Sequence, residues 1–184
     1  MKRFTIPIVG AVLIATCAAS GCAAQSQQPY AGLQSRTIKA LSEQQIADLR
    51  NGRGMTLALA AELNGYPGPL HVIEQADALA LTPNQRRRVQ ALYDEMKVMA
   101  VALGEQLIAE EAQLDRQFAD HTVTAASLSA ATDAIGRTQA QLRATHLRYH
   151  LLMLDVLTRE QVLRYAQLRG YGTQHPSHPA RHHE

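Results

Sequence analysis

Apolar residues recur at intervals of seven through the second half of the chain, and this spacing limits the possible folds more than any other feature. The positions are Leu128, Ile135, Leu142, Tyr149 and Val156. Such an interval lines side chains up along one stripe of a helix, as in a seam that packs against a second helix. We therefore predict one long amphipathic helix from Thr124 to about Leu157.

An equally long helical stretch precedes it, from Pro83 to about Asp120. Its apolar residues follow steps of three and four, the period of an amphipathic helix. Residues 120–124 would form the turn between the two helices. Alternation with a period of two is nearly absent, so we expect no sheet. The predicted fold is all-α: a long antiparallel helical hairpin with short flanking helices. Two helices alone bury too little surface, so we also expect a homodimer.

The first residues have the pattern of an export signal. Lys2 and Arg3 precede an apolar run from Ile6 to Ala18, which is short for a membrane span. Ala19-Ser20-Gly21-Cys22 resembles a bacterial lipobox, in which Cys22 receives the lipid. We predict a lipoprotein signal peptide over residues 1–21 and a tether over 22–36. A helical domain over 37–170 and a His-rich disordered tail over 171–184 would follow.

The charge balance argues against nucleic-acid binding. Two of the 18 basic residues and none of the 16 acidic ones lie in the leader, so the remaining chain carries equal numbers of both signs. The predicted location is the periplasmic side of a bacterial cell envelope. Ala23 after the lipidated cysteine favours the outer membrane over the inner one.

A short phrase of the pattern LTxxQ borders both long helical stretches. Its two copies consist of Leu81, Thr82, Gln85 and Leu157, Thr158, Gln161. Each copy has a threonine N-cap followed three residues later by glutamine, which is a capping box. Two copies bracketing an exported helical hairpin resemble the Spy/CpxP family, including its ZraP- and CnrX-like periplasmic heavy-metal resistance and sensor proteins. The resemblance covers about residues 69–171.

The resemblance implies a hooked hairpin that dimerises, and a function without catalysis. Some relatives bind divalent metal and sense or buffer it, whereas others bind unfolded envelope proteins without ATP. A membrane signalling protein is a further implied partner. The chain has no Gly-rich phosphate loop, no HExxH sequence, no nucleophile elbow and no CxxC pair, so we expect no enzyme. A purely structural lipoprotein that docks onto an envelope partner is the alternative.

Three candidate ligands share one face of the second long helix. His146, His150 and Met153 fall within a sector of about 60°. Two imidazoles one turn apart can bind one Zn²⁺, Ni²⁺ or Cu²⁺ ion, and a thioether would favour copper. Met153 also suits the helix core, and His150 suits a solvated flank. His71 and Glu74, one turn apart upstream, would join this site only if their helix docks on the hairpin.

The tail offers weaker metal ligands. They are His175, His178, His182 and His183. Clustered imidazoles bind transition metals whatever the fold, so the tail either buffers metal or is an incidental end.

Overall fold

The computed structural model describes residues 28–171. The predicted leader, the predicted lipidation site Cys22 and the four tail histidines lie outside the described residues. Residues 28–171 are all-α with no strand, which confirms the predicted fold class. One compact unit begins at Gly32 and contains the helices that the structure describes. None of the described helices combines the length and hydropathy that a membrane crossing requires.

In the described part of the chain, six α-helices follow one 3₁₀ turn at Leu33–Ser35. Their bounds are α1 Glu43–Arg50, α2 Leu59–Glu62, α3 Pro69–Glu74, α4 Pro83–Ala119, α5 Ala125–Leu154 and α6 Arg159–Leu168.

The hairpin of α4 and α5 is the frame of the fold, as predicted. Thr82 caps α4 and Thr124 caps α5, each accepting a hydrogen bond from the backbone N–H three residues later. The backbone N–H groups of Thr122 and Val123 both donate to the carbonyl of Gln117 and close the turn between the helices.

The predicted seam is buried over its middle part. Ile135, Leu142 and Tyr149 are buried, whereas Leu128 is 38% exposed and Val156 is half-buried. Helices α1 and α3 both pack against α4. The core therefore consists of two apolar clusters, one beneath α1 and one beneath α3 and α6.

Helix α1 lies directly on α4 at a glycine. A Cβ atom built on Gly104 would stand 2.5 Å from the carbonyl oxygen of Leu49, which is closer than any real contact. Only glycine permits this approach of two backbones. The crossing fixes where α1 ends, and hence where the following segment enters the cleft described below.

The two LTxxQ phrases meet at the open end of the hairpin. The amide nitrogen of Gln85 donates to Gln161 Oε1 at 2.8 Å, and the amide nitrogen of Gln161 donates back to Gln85 Oε1 at 3.2 Å. Each glutamine also closes the capping box of its own helix. Leu81 and Leu157 are both buried in the same apolar cluster. The repeated phrase thus joins α4 to α6.

The short helices differ from the sequence prediction. Ser42 and Gln45 form the capping box that the sequence predicts, and α1 begins directly after Ser42. Two further short helices are predicted from the sequence over about 55–64 and 70–80, but only the shorter α2 and α3 form there. Met55 and Thr56 have φ values of 40° and 71°, and Ala80 has 50°. These left-handed conformations are incompatible with a continuing right-handed helix. They also turn residues 52–58 back over α5.

Candidate metal-binding cleft

A cleft of about 530 Å³ lies between the last third of α5, α4, the start of α3, residues 51–59 and the end of α6. His71, His146 and His150 all line it. The sequence placed the last two on one face of α5, and required α3 to dock on the hairpin before His71 could join them. In the folded chain all three histidines line the same cleft, together with the carboxylate of Glu62.

His150 has one ring nitrogen fixed and the other aimed at the cleft. Its Nδ1 lies 2.7 Å from the backbone carbonyl of Tyr66. A carbonyl only accepts, so this nitrogen carries the proton and Nε2 of the neutral ring keeps its lone pair. Metal-binding histidines commonly donate their second N–H to a carbonyl in this way. His150 therefore has the orientation that ligation needs.

Gly68 leaves the space in which Nε2 of His150 and a carboxylate oxygen can meet. A Cβ atom built on Gly68 would stand 3.2 Å from His150 Nε2 and 3.4 Å from Glu62 Oε2. Any larger residue would fill the gap beside both atoms. Glu62 Oε2 is itself buried and has no hydrogen-bond partner, and it lies 3.8 Å from His150 Nδ1, too far for a hydrogen bond.

His146 is the most enclosed of the three histidines. It is 3% exposed, and its Nε2 is buried with no hydrogen-bond partner. Gly54 of the turned-back segment faces the other side of the ring, with a built Cβ 3.6 Å from His146 Nδ1. Burial is the main cause that lowers the pKa of His146, and the electrostatic influence of the neighbouring His150 is a smaller cause. Its ring is therefore neutral at physiological pH, the form that binds metal ions.

Glu62 is the residue that sequence reasoning missed. It is 8% exposed, and its Oε1 accepts hydrogen bonds from the hydroxyls of Tyr165 at 2.5 Å and Tyr171 at 3.2 Å. Arg169 Nε stands 3.3 Å from the same oxygen, an ion-pair distance without hydrogen-bond alignment. This carboxylate raises the pKa of Tyr165, although burial of the phenol is the larger cause.

Tyr171, the first residue of the predicted tail, packs against the end of α6 and against Glu62. Its hydroxyl reaches Glu62 and its ring lies 5.6 Å from the guanidinium carbon of Arg169. The physical reason is the end of α6, where Gly170 adopts a φ of 74° and Tyr171 N–H donates to the carbonyl of Ala166. The packed part of the chain therefore reaches Tyr171.

Two other candidate ligands have different surroundings. Met153 is fully buried in the apolar cluster beneath α3 and is absent from the cleft lining, so the core alternative holds for it. His71 Nδ1 lies 3.0 Å from Glu74 Oε2 on the rim, and both side chains are partly exposed. The pair thus contacts the cleft through His71 alone.

The cleft offers ligands but not a finished ligand set. Within residues 28–171, no three His, Cys, Asp or Glu side chains stand close enough together to hold one ion. What the cleft provides is two imidazoles, a buried carboxylate oxygen without a hydrogen-bond partner, and, at Gly68, an open space beside His150 and Glu62. These donors suit Zn²⁺, Ni²⁺ or Cu²⁺ in type.

Comparison with known proteins gives no relative. No family model matches the chain, no curated protein matches it, and no solved structure matches it.

Proposed function

We propose that this protein is an exported, membrane-anchored member of the Spy/CpxP type that binds a divalent transition-metal ion in the cleft of His146, His150 and Glu62. It would serve periplasmic metal sensing or resistance without catalytic turnover. The leader, the lipobox and the paired LTxxQ phrases support the family and the location. The cleft supports the ligand.

One observation carries the metal proposal: two unpartnered ligand atoms are buried at one cleft. Buried polar atoms without hydrogen bonds cost about 1–3 kcal/mol each, so native proteins rarely keep them without a reason. His146 Nε2 and Glu62 Oε2 are both of this kind. A metal ion bound between imidazole and carboxylate would satisfy both atoms.

The fixed tautomer of His150 adds to this argument. Its Nδ1 is held by Tyr66, so the ring need not reorient to present Nε2. Glu62 is likewise held by two tyrosine hydroxyls at its other oxygen. Ligands oriented by such neighbours bind metal more tightly, and loss of a neighbour typically costs 10- to 100-fold in affinity.

The test is calorimetric titration of Zn²⁺, Ni²⁺ and Cu²⁺ into the chain from residue 23 onward and into two variants. Replacing both cleft histidines, His146→Ala with His150→Ala, should abolish the tight site while circular dichroism stays helical. The matched control is His121→Ala, because His121 is an exposed histidine in the hairpin turn. That control should bind like the parent.

Because buried histidines also pack, a single His150→Gln variant guards against misfolding. Glutamine fills a comparable space but is a poor ligand for these metals. Equal affinity and stoichiometry in the parent and in this folded variant would count against the proposal.

A second candidate function rests on a separate surface. An almost wholly apolar groove of about 430 Å³ runs between α4 and α5, lined mainly by Met99, Ala102, Leu103 and Ala144. Exposed apolar surface lined also by Arg148 is what an ATP-independent chaperone presents to unfolded chains.

Met99→Lys should then reduce the suppression of client aggregation, whereas Val123→Lys in the turn should not. Failure of the parent chain to suppress aggregation at equimolar ratio would remove this candidate.

A further inference from the structure

A second cavity lies beside the apolar cluster beneath α1. It has a volume of about 570 Å³ and is bounded by α1, residues 55–57 and facing sides of α4 and α5. This volume falls within the range of about 300–1,000 Å³ in which proteins hold small organic ligands. The proposed metal ligands His146, His150 and Glu62 are not among its lining residues. The cavity is therefore a site separate from the metal-binding cleft.

The walls of this cavity are aliphatic. Leu49, Leu107 and Leu142 form its buried part, and Met55 and Leu57 are half-buried beside them. Among the described residues no aromatic side chain lines it, so it lacks the stacking surface that a planar base or a sugar ring would use. Leucine and methionine side chains suit a flexible hydrocarbon chain, because burial of apolar surface is favourable without directed contacts.

Gly136 leaves one wall of the cavity without a side chain. It lies inside α5, where glycine is one of the poorest helix formers. A Cβ atom built there meets no atom within 4 Å, so close packing does not require glycine at this position, in contrast to Gly104. Because Gly136 lines the cavity, a larger residue would take up space that is now open.

A positive charge stands at the mouth of the cavity. Arg143 follows Gly136 by seven residues on α5, lines the cavity and is exposed. Within residues 28–171 its guanidinium forms no ion pair, whereas Arg50 and Arg53 pair with nearby carboxylates. No described Asp or Glu lines the cavity, and Gln139 supplies a further N–H donor. An arginine in this position is complementary to the anionic group of a ligand.

We propose that this cavity binds an anionic single-chain amphiphile of the fatty-acid class. Its hydrocarbon chain would lie against Leu49, Met55 and Leu107, and its carboxylate would pair with Arg143 at the mouth. The hydrocarbon supplies most of the affinity, because an exposed ion pair contributes little by comparison. The inference goes beyond the proposed function, and it does not require a bound metal ion.

The experiment is calorimetric titration of dodecanoate, below its micelle concentration and with chelator present, into the chain from residue 23 onward. The parent should bind one dodecanoate per chain. Gly136→Leu should bind about tenfold more weakly or less, because the leucine side chain and the ligand compete for the same space. The matched control Ala126→Leu, at an exposed position of α5 outside the cavity, should bind like the parent.

A second pair of variants tests the charge. Arg143→Gln should weaken binding by about twofold to fivefold, the size expected of an exposed ion pair. Arg137→Gln should leave it unchanged, because Arg137 is exposed on the same helix and does not line the cavity. Dodecyltrimethylammonium, with an equal hydrocarbon chain and the opposite charge, should bind the parent more weakly than dodecanoate.

Urea unfolding checks that the variants fold. Gly136→Leu should unfold at the same or a higher urea concentration than the parent, since leucine favours the helix and meets open space. If this folded variant binds dodecanoate like the parent, the ligand lies elsewhere and the proposal is refuted. Absence of dodecanoate binding by the parent refutes it as well. Equal binding of both amphiphiles, together with an unchanged Arg143→Gln, would refute the anionic ligand.

A second copy of the chain is the competing occupant of this surface. In that case sedimentation would show a parent dimer that Gly136→Leu dissociates, and dodecanoate would not bind the parent. That result would overturn the proposal. Because chelator is present in every titration, failure of the metal site would leave the predicted dodecanoate binding unchanged, and the two proposals can fail separately.

Discussion

Two glycines in the long helices should respond to the same substitution with opposite sign. Gly104 and Gly136 both lie inside helices, where alanine is favoured over glycine by roughly 0.8–1.0 kcal/mol. A Cβ atom on Gly136 meets nothing within 4 Å, so Gly136→Ala should raise the free energy of unfolding by about that amount. A Cβ atom on Gly104 would stand 2.5 Å from Leu49 O and 2.9 Å from the Leu49 carbonyl carbon.

The clash at Gly104 involves backbone, so α1 must move. Overpacking of this kind costs about 1–3 kcal/mol, and the helix-propensity gain is common to both variants. The difference between them should therefore be about 1–3 kcal/mol, with Gly104→Ala the less stable. Urea unfolding followed by circular dichroism at equal protein concentration measures it. A Gly104→Ala variant as stable as Gly136→Ala would refute the close crossing of α1 and α4.

The same pair tests whether α1 positions the cleft. Helix α1 leads into residues 51–59, which line the cleft and place Gly54 against His146. Displacing α1 should weaken Zn²⁺ binding in Gly104→Ala, whereas Gly136→Ala should bind like the parent. Unchanged affinity in both variants would show that this segment does not support the ligands.

Three further predictions address the motif, the buried carboxylate and acid stability. Gln161→Ala removes the reciprocal amide pair with Gln85 and a capping box, so urea unfolding should show a loss of about 1–3 kcal/mol in the free energy of unfolding. The control Gln113→Ala, on an exposed face, should change it by less than about 0.5 kcal/mol. Glu62→Gln should cost about 1–3 kcal/mol in the same assay and at least about tenfold in Zn²⁺ affinity, and an unchanged affinity would exclude Glu62 as a ligand. Burial lowers the pKa of His146, so the unfolded chain binds a proton at this residue more readily than the folded chain does. With chelator present, the free energy of unfolding should keep its full value above about pH 6.5 and fall as the pH drops towards the pKa of His146 in the folded chain. A His146→Leu variant that shows the same decline would refute this cause.

The hairpin was predictable because its signals are local and repeated. Leu142 and Tyr149 are buried at two of the seven-residue positions, and Thr82 and Thr124 cap the helices that the sequence predicts to begin there. Helix caps and periodicity depend on residues a few positions apart, so one sequence is enough to find them.

The short helices were less predictable because long-range packing overrides local preference there. Met55 and Thr56 lie in a stretch of good helix formers, yet both adopt left-handed conformations that bring Gly54 to His146. Gly52 and Gly54 just upstream indicate a break in the chain, but no local feature predicts left-handed conformations at Met55 and Thr56 themselves. Its positive φ values are compensated by contacts with α5, far away in sequence.

Only the part of the site that lies on one helix was predictable, because the other ligands come from distant parts of the chain. His146 and His150 share a helix face, which spacing alone reveals. Glu62 reaches them from a segment more than eighty residues earlier, and its partners Tyr165 and Tyr171 come from the far end of the chain. The sequence does give a weak indication of Glu62, which is a single charged residue in an apolar stretch. A charged residue that becomes buried in such a stretch needs a partner.

The most direct test of the central claim is a crystal structure of the chain from residue 23 onward with Zn²⁺, with anomalous diffraction collected at the zinc edge. We predict one strong anomalous peak in the cleft, at about 2.0–2.1 Å from a ring nitrogen of both His146 and His150, with an oxygen of Glu62 in the ligand set. A fully occupied peak elsewhere, at His71 and Glu74 or on the tail alone, with the cleft empty, would contradict the account.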